Sequence, residues 1–494
     1  MSAPAPDPSP ETLGHETGSS NNRGRRSVAT VVATAVGVAL VGGGAYAAWS
    51  FLATGTQPAA ALPADTVGYL AFDLDPGGGQ KIEAFRTLRK FPALAAELDD
   101  AGDDLREVVV DALLAGSACD LTYGDDVAGW MGDRLAVAAV PDGDDLVPVV
   151  AVEVTDTGAA ENGLGALRGC VDELGWAFLD DFVLLGPTRE QARSVAAAAD
   201  DTALADDPDF QTWTDEAGSG GIMTGYVAPG VGEHLPQALV DLEDALADFT
   251  GAGLGARFED GTLAVSVAAG GIGSGADQGA SVGPLVAGLP GTTGLALAFA
   301  AADGWAERVL DGLGATGVEG PLGPLGGGGA GLDPADVEAL MGDGLALVAD
   351  GSLDLEAFTD SFDLRALPVG VKIVGDEAEI GAAADRLLRN LGVGALLLGT
   401  ERGDGVVALG PSRDYLARLV VAGDLGEQER FRAVVPEVGR ADGVLFVDLD
   451  ADWIDSLADD PEVAANLEPL EALGASSWTD PDGVLRARVE LSTD

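Results

Sequence analysis

Asp448, Asp450, Asp452 and Asp455 place four carboxylates within eight residues, a spacing that could gather oxygen ligands around a calcium ion. The spacing departs from an EF-hand loop, which needs Gly at its sixth position; Trp453 stands there. The competing reading is a strand, Val444 to Asp448, that runs into a helix capped by Asp450 or Asp452.

Other reactive types are scarce. The chain holds two histidines, His15 and His234, and two cysteines, Cys119 and Cys170. Gly279-Ala280-Ser281-Val282-Gly283 fits the G-x-S-x-G pattern of serine hydrolases. The flanks are glycine-rich rather than strand and helix, and no histidine follows His234, so the pattern lacks its partners. Two Cys and two His do not make a structural zinc site. No phosphate-binding glycine loop is present, so no cofactor is expected. Paired-carboxylate hydrolysis stays open among 82 Asp and Glu, but nothing in the sequence locates it.

One basic island breaks the acidity. Lys81, Arg86, Arg89 and Lys90 alternate with Ile82, Phe85 and Leu88 at helical spacing. Such a helix could lie on anionic lipid headgroups, or pack on a sheet with its cations paired to neighbouring acids. Arg189 and Arg413 each follow a Gly-Pro pair and could grip an anion or simply open a helix. Asp133 and Asp343 each follow Met-Gly before an apolar run, the signature of a turn.

The elements that carry these residues are legible in outline. Residues 1–26 have no hydrophobic period and read as a disordered cytoplasmic tail. Arg23, Arg25 and Arg26 precede an uncharged stretch whose apolar part is ~25 residues, enough to span a bilayer. With the positive-inside bias, this predicts a transmembrane helix over 27–53, a linker over 54–61 and an extracytoplasmic remainder. A cleaved signal peptide is the rival reading, since Ala45-Tyr46-Ala47 and Ala59-Ala60-Ala61 satisfy a small-residue cleavage rule. Net charge of −56 argues against nucleic acid, leaving the bilayer, an envelope protein or a lipid ligand as expected partners.

The remainder repeats itself. Leu62-Pro63-Ala64-Asp65-Thr66 recurs as Leu289-Pro290-Gly291-Thr292-Thr293, and Met131-Gly132-Asp133 as Met341-Gly342-Asp343. The strand Val147 to Val154 matches Leu367 to Val374; Gly186-Pro187-Thr188-Arg189 matches Gly410-Pro411-Ser412-Arg413. Phe210 matches Phe431, and the Asp260-Gly261 hairpin matches Asp482-Gly483. We therefore expect an α+β protein of two tandem, related domains, 62–269 and 289–494, joined by a Gly-rich linker over 270–288. Each is expected to hold a largely antiparallel sheet covered on one face by helices. Both cysteines fall in the first copy; a Cys119–Cys170 disulfide and two buried thiols are both compatible with that.

Several segments resemble the bacterial membrane-protein family called domain of unknown function 3352. They are Leu62-Pro63-Ala64-Asp65-Thr66, Phe72-Asp73-Leu74-Asp75-Pro76, Gln80-Lys81-Ile82 through Phe91-Pro92, Cys119-Asp120-Leu121-Thr122-Tyr123, Trp130 to Arg134, and Gly175-Trp176-Ala177-Phe178. The resemblance implies an anchored envelope protein and supplies no catalytic residues. The expectation is a non-enzymatic binding or scaffolding protein. The alternatives are a carrier with an apolar cleft for a hydrophobic ligand and an acid-dependent cell-wall hydrolase.

Overall fold

The structure is a computed structural model. It describes residues 57–74, 79–100, 104–115, 121–143, 145–169, 171, 173–218, 221–234, 248–259, 261–271, 281–300, 334–354, 363–390, 398–454 and 461–494. All of them belong to one compact unit, Tyr46–Asp494.

Sixteen strands form one antiparallel sheet. The first copy supplies β1 (Gly68–Asp73), β2 (Met131–Asp142), β3 (Asp145–Val154), β4 (Gly175–Leu179), β5 (Phe182–Gly186), β6 (Met223–Val227), β7 (Gly251–Glu259) and β8 (Thr262–Gly270). The second supplies β9 (Thr293–Phe299), β10 (Gly344–Asp350), β11 (Val369–Val374), β12 (Gly399–Gly403), β13 (Val406–Gly410), β14 (Gly443–Asp448), β15 (Leu470–Thr479) and β16 (Leu485–Thr493). The order is β4-β5-β3-β2-β1-β6-β7-β8 in the first copy and β12-β13-β11-β10-β9-β14-β15-β16 in the second. The copies share one topology, and β8 pairs with β16 to fuse them edge to edge.

The helices are α1 (Gly79–Leu88), α2 (Pro92–Asp100), α3 (Leu105–Ala115), α4 (Thr157–Leu167), α5 (Arg189–Asp201) and α6 (Pro208–Glu216) in the first copy. The second has α7 (Gly283–Ala287), α8 (Pro334–Met341), α9 (Glu377–Asn390), α10 (Arg413–Leu419), α11 (Glu429–Val434) and α12 (Pro461–Leu467). They cover both faces. Ala151 packs in a cluster with Val195 and Ala196 of α5 and Trp213 of α6. Its neighbour Val152 points the other way, into a cluster with Ala160 and Leu164 of α4. In the second copy Ala408 packs with Tyr415 and Leu416 of α10, while Val407 packs with Ile380 and Ala384 of α9.

The repeated motifs are structural. Thr66 Oγ donates to Pro63 O at 2.6 Å, and Thr293 Oγ to Pro290 O at 2.7 Å, closing the same buried turn twice. Phe210 meets Tyr226 edge-on at 5.3 Å, and Phe431 meets Phe446 edge-on at 5.2 Å. Gly261, Gly405 and Gly483 turn three hairpins at φ of 85°, 68° and 81°, a region costly for any side chain with a Cβ.

Three expectations are corrected. The two copies are not domains with separate sheets: eight consecutive residue pairs across β8 and β16 make the sheet continuous. Helices cover both faces rather than one. Among the described residues no helix is long and apolar enough to cross a membrane, and none contains a disulfide. The expected transmembrane helix over 27–53, its flanking Arg23, Arg25 and Arg26, and both Cys119 and Cys170 lie outside the described residues.

Candidate functional site

On the α10 face of the second copy, a cavity of about 430 Å³ opens between five segments. The start of α7 gives Val282, Pro284 and Leu285; β10 begins at its rim with Asp343 and Gly344. Lys372 and Val374 come from β11, Val406 from β13, and Val420 to Ala422 from the chain leaving α10. The walls are mainly apolar; polar groups come from Ser281, Asp343, Lys372 and Asp404.

Local chemistry fixes that frame. Ser281 Oγ donates to Ala441 O at 3.0 Å and accepts from Gly283 N at 3.1 Å, which pins the entry to α7. A Cβ at Gly283 would lie 2.0 Å from Val438 O, so only glycine lets the backbone approach so closely. Ser281 is thus a bracing hydroxyl inside the G-x-S-x-G pattern.

Lys372 is the unusual residue. It is 5% exposed, and its Nζ donates to Gly288 O at 3.0 Å. Gly288 O also accepts from Gly423 N at 3.0 Å. No carboxylate of the described residues lies within 4.0 Å of the ammonium. Burial pushes the amine below the usual lysine range. An ammonium carries three donors, and one protein acceptor engages it here.

The sheet register shows how the lysine fits. In the first copy one row of partners crosses the strands as Ala71, Ala136, Ala151, Leu184. In the second the row is Ala298, Ala346, Lys372, Ala408. Where the first copy has a small residue beside a large one, the second has the large one beside the small. Lys372 stands at the register position of Ala151, and Ala408 at that of Leu184. Pairing the copies by sequence sets Val152 against Lys372; the register sets Ala151 there, on the opposite face.

The other sequence candidates separate. Arg430 Nη1 lies 2.5 Å from Asp448 Oδ1 and 3.4 Å from Asp450 Oδ2, so a guanidinium already sits between those carboxylates. Asp452 is exposed, and Asp455 lies outside the described residues. No group of metal-ligating side chains stands among the described residues. In the basic island Arg86 pairs with Glu83 at 3.0 Å and Arg89 with Asp99 at 3.8 Å. Lys90 Nζ donates to Thr493 Oγ at 2.9 Å and to the Asp494 carbonyl, and Lys81 lies 6.0 Å from the Phe85 ring. These cations are engaged within the fold. Arg189 stacks on Trp176 at 4.8 Å, Arg413 opens α10, and Arg106 holds Asp133 at 3.0 Å.

A second polar cluster gathers Asp73, Asp104, Asp133 and Glu153 around Arg106 and Arg134. Burial opposes ionisation of Asp104, but Arg106 and Tyr123 hold it below the usual carboxylate range. Burial first, and then the Asp104 charge, push the Tyr123 phenol up to about 12. Asp350 and Asp480 are also lowered. A general acid requires the opposite shift.

No family model matches the chain, and no curated protein matches it. Among solved structures, crystal form III of TP0453 aligns at TM-score 0.22 and 8% identity, over 44% of this chain and 81% of that one. Crystal form I of TP0453 aligns at TM-score 0.22 and 11% identity, over 44% and 80%. At that score the likeness carries no argument.

Proposed function

We propose that the protein is a non-enzymatic binding protein that holds a small, mainly apolar ligand in the cavity of its second copy. The supporting observation is the cavity itself: about 430 Å³, with Val282, Leu285, Val374, Val406 and Val420 as walls. That volume falls in the range of small-molecule sites, and apolar walls with a few polar groups are their usual lining. The reading also accommodates the lowered carboxylates, which are held as anions by their partners and are poorly suited to donate a proton. Native mass spectrometry of the purified full chain tests it. A co-purified small molecule, lost when Val406→Phe fills the cavity, is the expected result. A ligand-free wild type that also takes up no added aliphatic compound rejects it.

A scaffolding role is the second reading. Leu297 and Leu347 are direct partners across β9 and β10 on the opposite face, each 40% exposed, with Phe299 beside them at 36%. A cross-strand apolar patch of this kind suits a protein contact. Leu347→Glu would abolish co-elution of such a partner and leave ligand uptake unchanged.

A further inference from the structure

The cavity is not a plain apolar box, because Lys372 lines it and is almost fully buried. We infer that the ligand is an amphiphile with an anionic head, a carboxylate on an aliphatic chain, and that Lys372 is its counter-ion. This rests on the binding reading above and names the ligand class for the same site.

Three observations converge. The ammonium engages one protein acceptor, Gly288 O, and no carboxylate of the described residues comes within 4.0 Å. A buried cation of this kind is costly unless an anion or further acceptors meet it. Gly288 O keeps Gly423 N as a donor, so the lysine is not required to satisfy that carbonyl. The fold does not require a cation in this row either: the first copy builds the same row with Ala151 and Leu184, both fully buried. The amine therefore stands beside the cavity at a position where the first copy has alanine. An anion entering there would accept hydrogen bonds from the free donors of Lys372, and its chain would lie along Val282, Leu285 and Val406. Asp343 and Asp404 at the lining oppose a second negative charge, which favours a single carboxylate over a phosphate dianion.

The test compares decanoate with decan-1-ol by isothermal titration calorimetry on the full chain. Wild type should prefer the acid by about tenfold or more, the usual advantage of a hydrogen bond to a charged group. Lys372→Met should bring the preference close to one while retaining the alcohol. The double variant Lys372→Ala/Ala408→Leu installs the first copy's own core pair and should do the same, so the test survives if the single variant misfolds. Equal binding of acid and alcohol by wild type, unchanged in both variants, overturns the counter-ion and leaves the binding reading standing. Binding of neither compound by wild type overturns both.

Discussion

Ser266 of β8 and Arg488 of β16 face each other across the strand pair that fuses the two copies. Their numbers differ by 222 (488 − 266), and the Asp260-Gly261 and Asp482-Gly483 hairpins also differ by 222 (482 − 260). Each residue is therefore the other's counterpart, and a local two-fold passes between them. The flanking pairs obey the same relation: Val265 faces Val489 and Val267 faces Ala487, the two pairs exchanging under that two-fold. A duplicated chain has closed its own edge strands on each other, as a symmetric dimer would, and has removed two exposed edges. Arg486 ties the joint from the second copy by donating to Glu216 O at 2.7 Å.

A joint built this way couples the copies in unfolding. Ala487 is paired on both sides, with Val267 and with Ser477. Proline there removes a ladder hydrogen bond from a central strand and should cost at least about 1–3 kcal/mol, the penalty of a buried acceptor left without its donor. Differential scanning calorimetry should show one transition for wild type and one, shifted down whole, for Ala487→Pro. Two transitions, with only one displaced, would mean that the copies melt independently.

Lys372→Met should stabilise the ligand-free protein. Methionine keeps the aliphatic volume, and Gly288 O retains Gly423 N. Replacing a buried charge with an apolar side chain of similar size commonly gains about 1–4 kcal/mol. The sign with pH follows from the depressed amine. Its cost is full below the folded pKa and has vanished above the unfolded value of about 10.4. The variant's advantage in urea melts should thus be largest below the folded pKa of the amine and close as pH rises to the unfolded value. A variant less stable than wild type at pH 7 would refute this.

Local chemistry was readable in the chain; lateral relations were not. The turns at Thr66 and Thr293 and at Gly261 and Gly483 depend on residues adjacent in sequence, so their signatures stand in the sequence. The β8–β16 joint pairs segments 222 residues apart and has no local signature. The cavity was hidden for a sharper reason. The run Val147-Pro148-Val149-Val150-Ala151-Val152 is apolar on both faces, so no alternation fixes its alignment with β11. A slip of one residue sends Lys372 to the wrong face. Arg430, which claims Asp448 and Asp450, comes from a helix eighteen residues upstream that the acidic run does not advertise.

Asp350 gives the clearest acid-sensitive contact. Burial alone would raise its carboxyl, but Ser352, Thr292 and Arg418 hold it below the usual range. Ser352 Oγ and Thr292 Oγ each donate at 2.6 Å, and Arg418 Nη1 stands at 3.0 Å. Asp350→Asn should lose about 2–3 kcal/mol at neutral pH, the worth of hydrogen bonds to a charged acceptor. A lowered carboxyl stabilises fully above its unfolded value of about 3.9 and loses that stability as pH falls through the folded one. The gap between wild type and variant in chemical denaturation should therefore narrow below about pH 4.

Calcium should leave the melting temperature and tryptophan fluorescence of wild type unchanged, because the Arg430 guanidinium already stands between Asp448 and Asp450. A calcium-dependent rise in melting temperature would show that the guanidinium yields to the ion.

The two copies also share a contact between helix and strand that tests their equivalence atom by atom. A Cβ on Gly253 would lie 1.9 Å from Trp213 O, and one on Gly474 would lie 2.0 Å from Val434 O. Both pairs are 221 apart between copies (474 − 253 and 434 − 213). In each copy the helix carbonyl rests on a strand glycine, and a methyl group would lift α6 from β7 or α11 from β15. Overpacking of this kind costs about 1–3 kcal/mol. Gly253→Ala and Gly474→Ala should lower the melting temperature by similar amounts. Only the first should red-shift tryptophan emission strongly, since Trp213 itself rides on the displaced helix, its Nε1 donating to Thr250 O at 2.7 Å. Equal tolerance of alanine at one glycine and loss of folding at the other would break the equivalence, because the same backbone approach would then matter in only one copy.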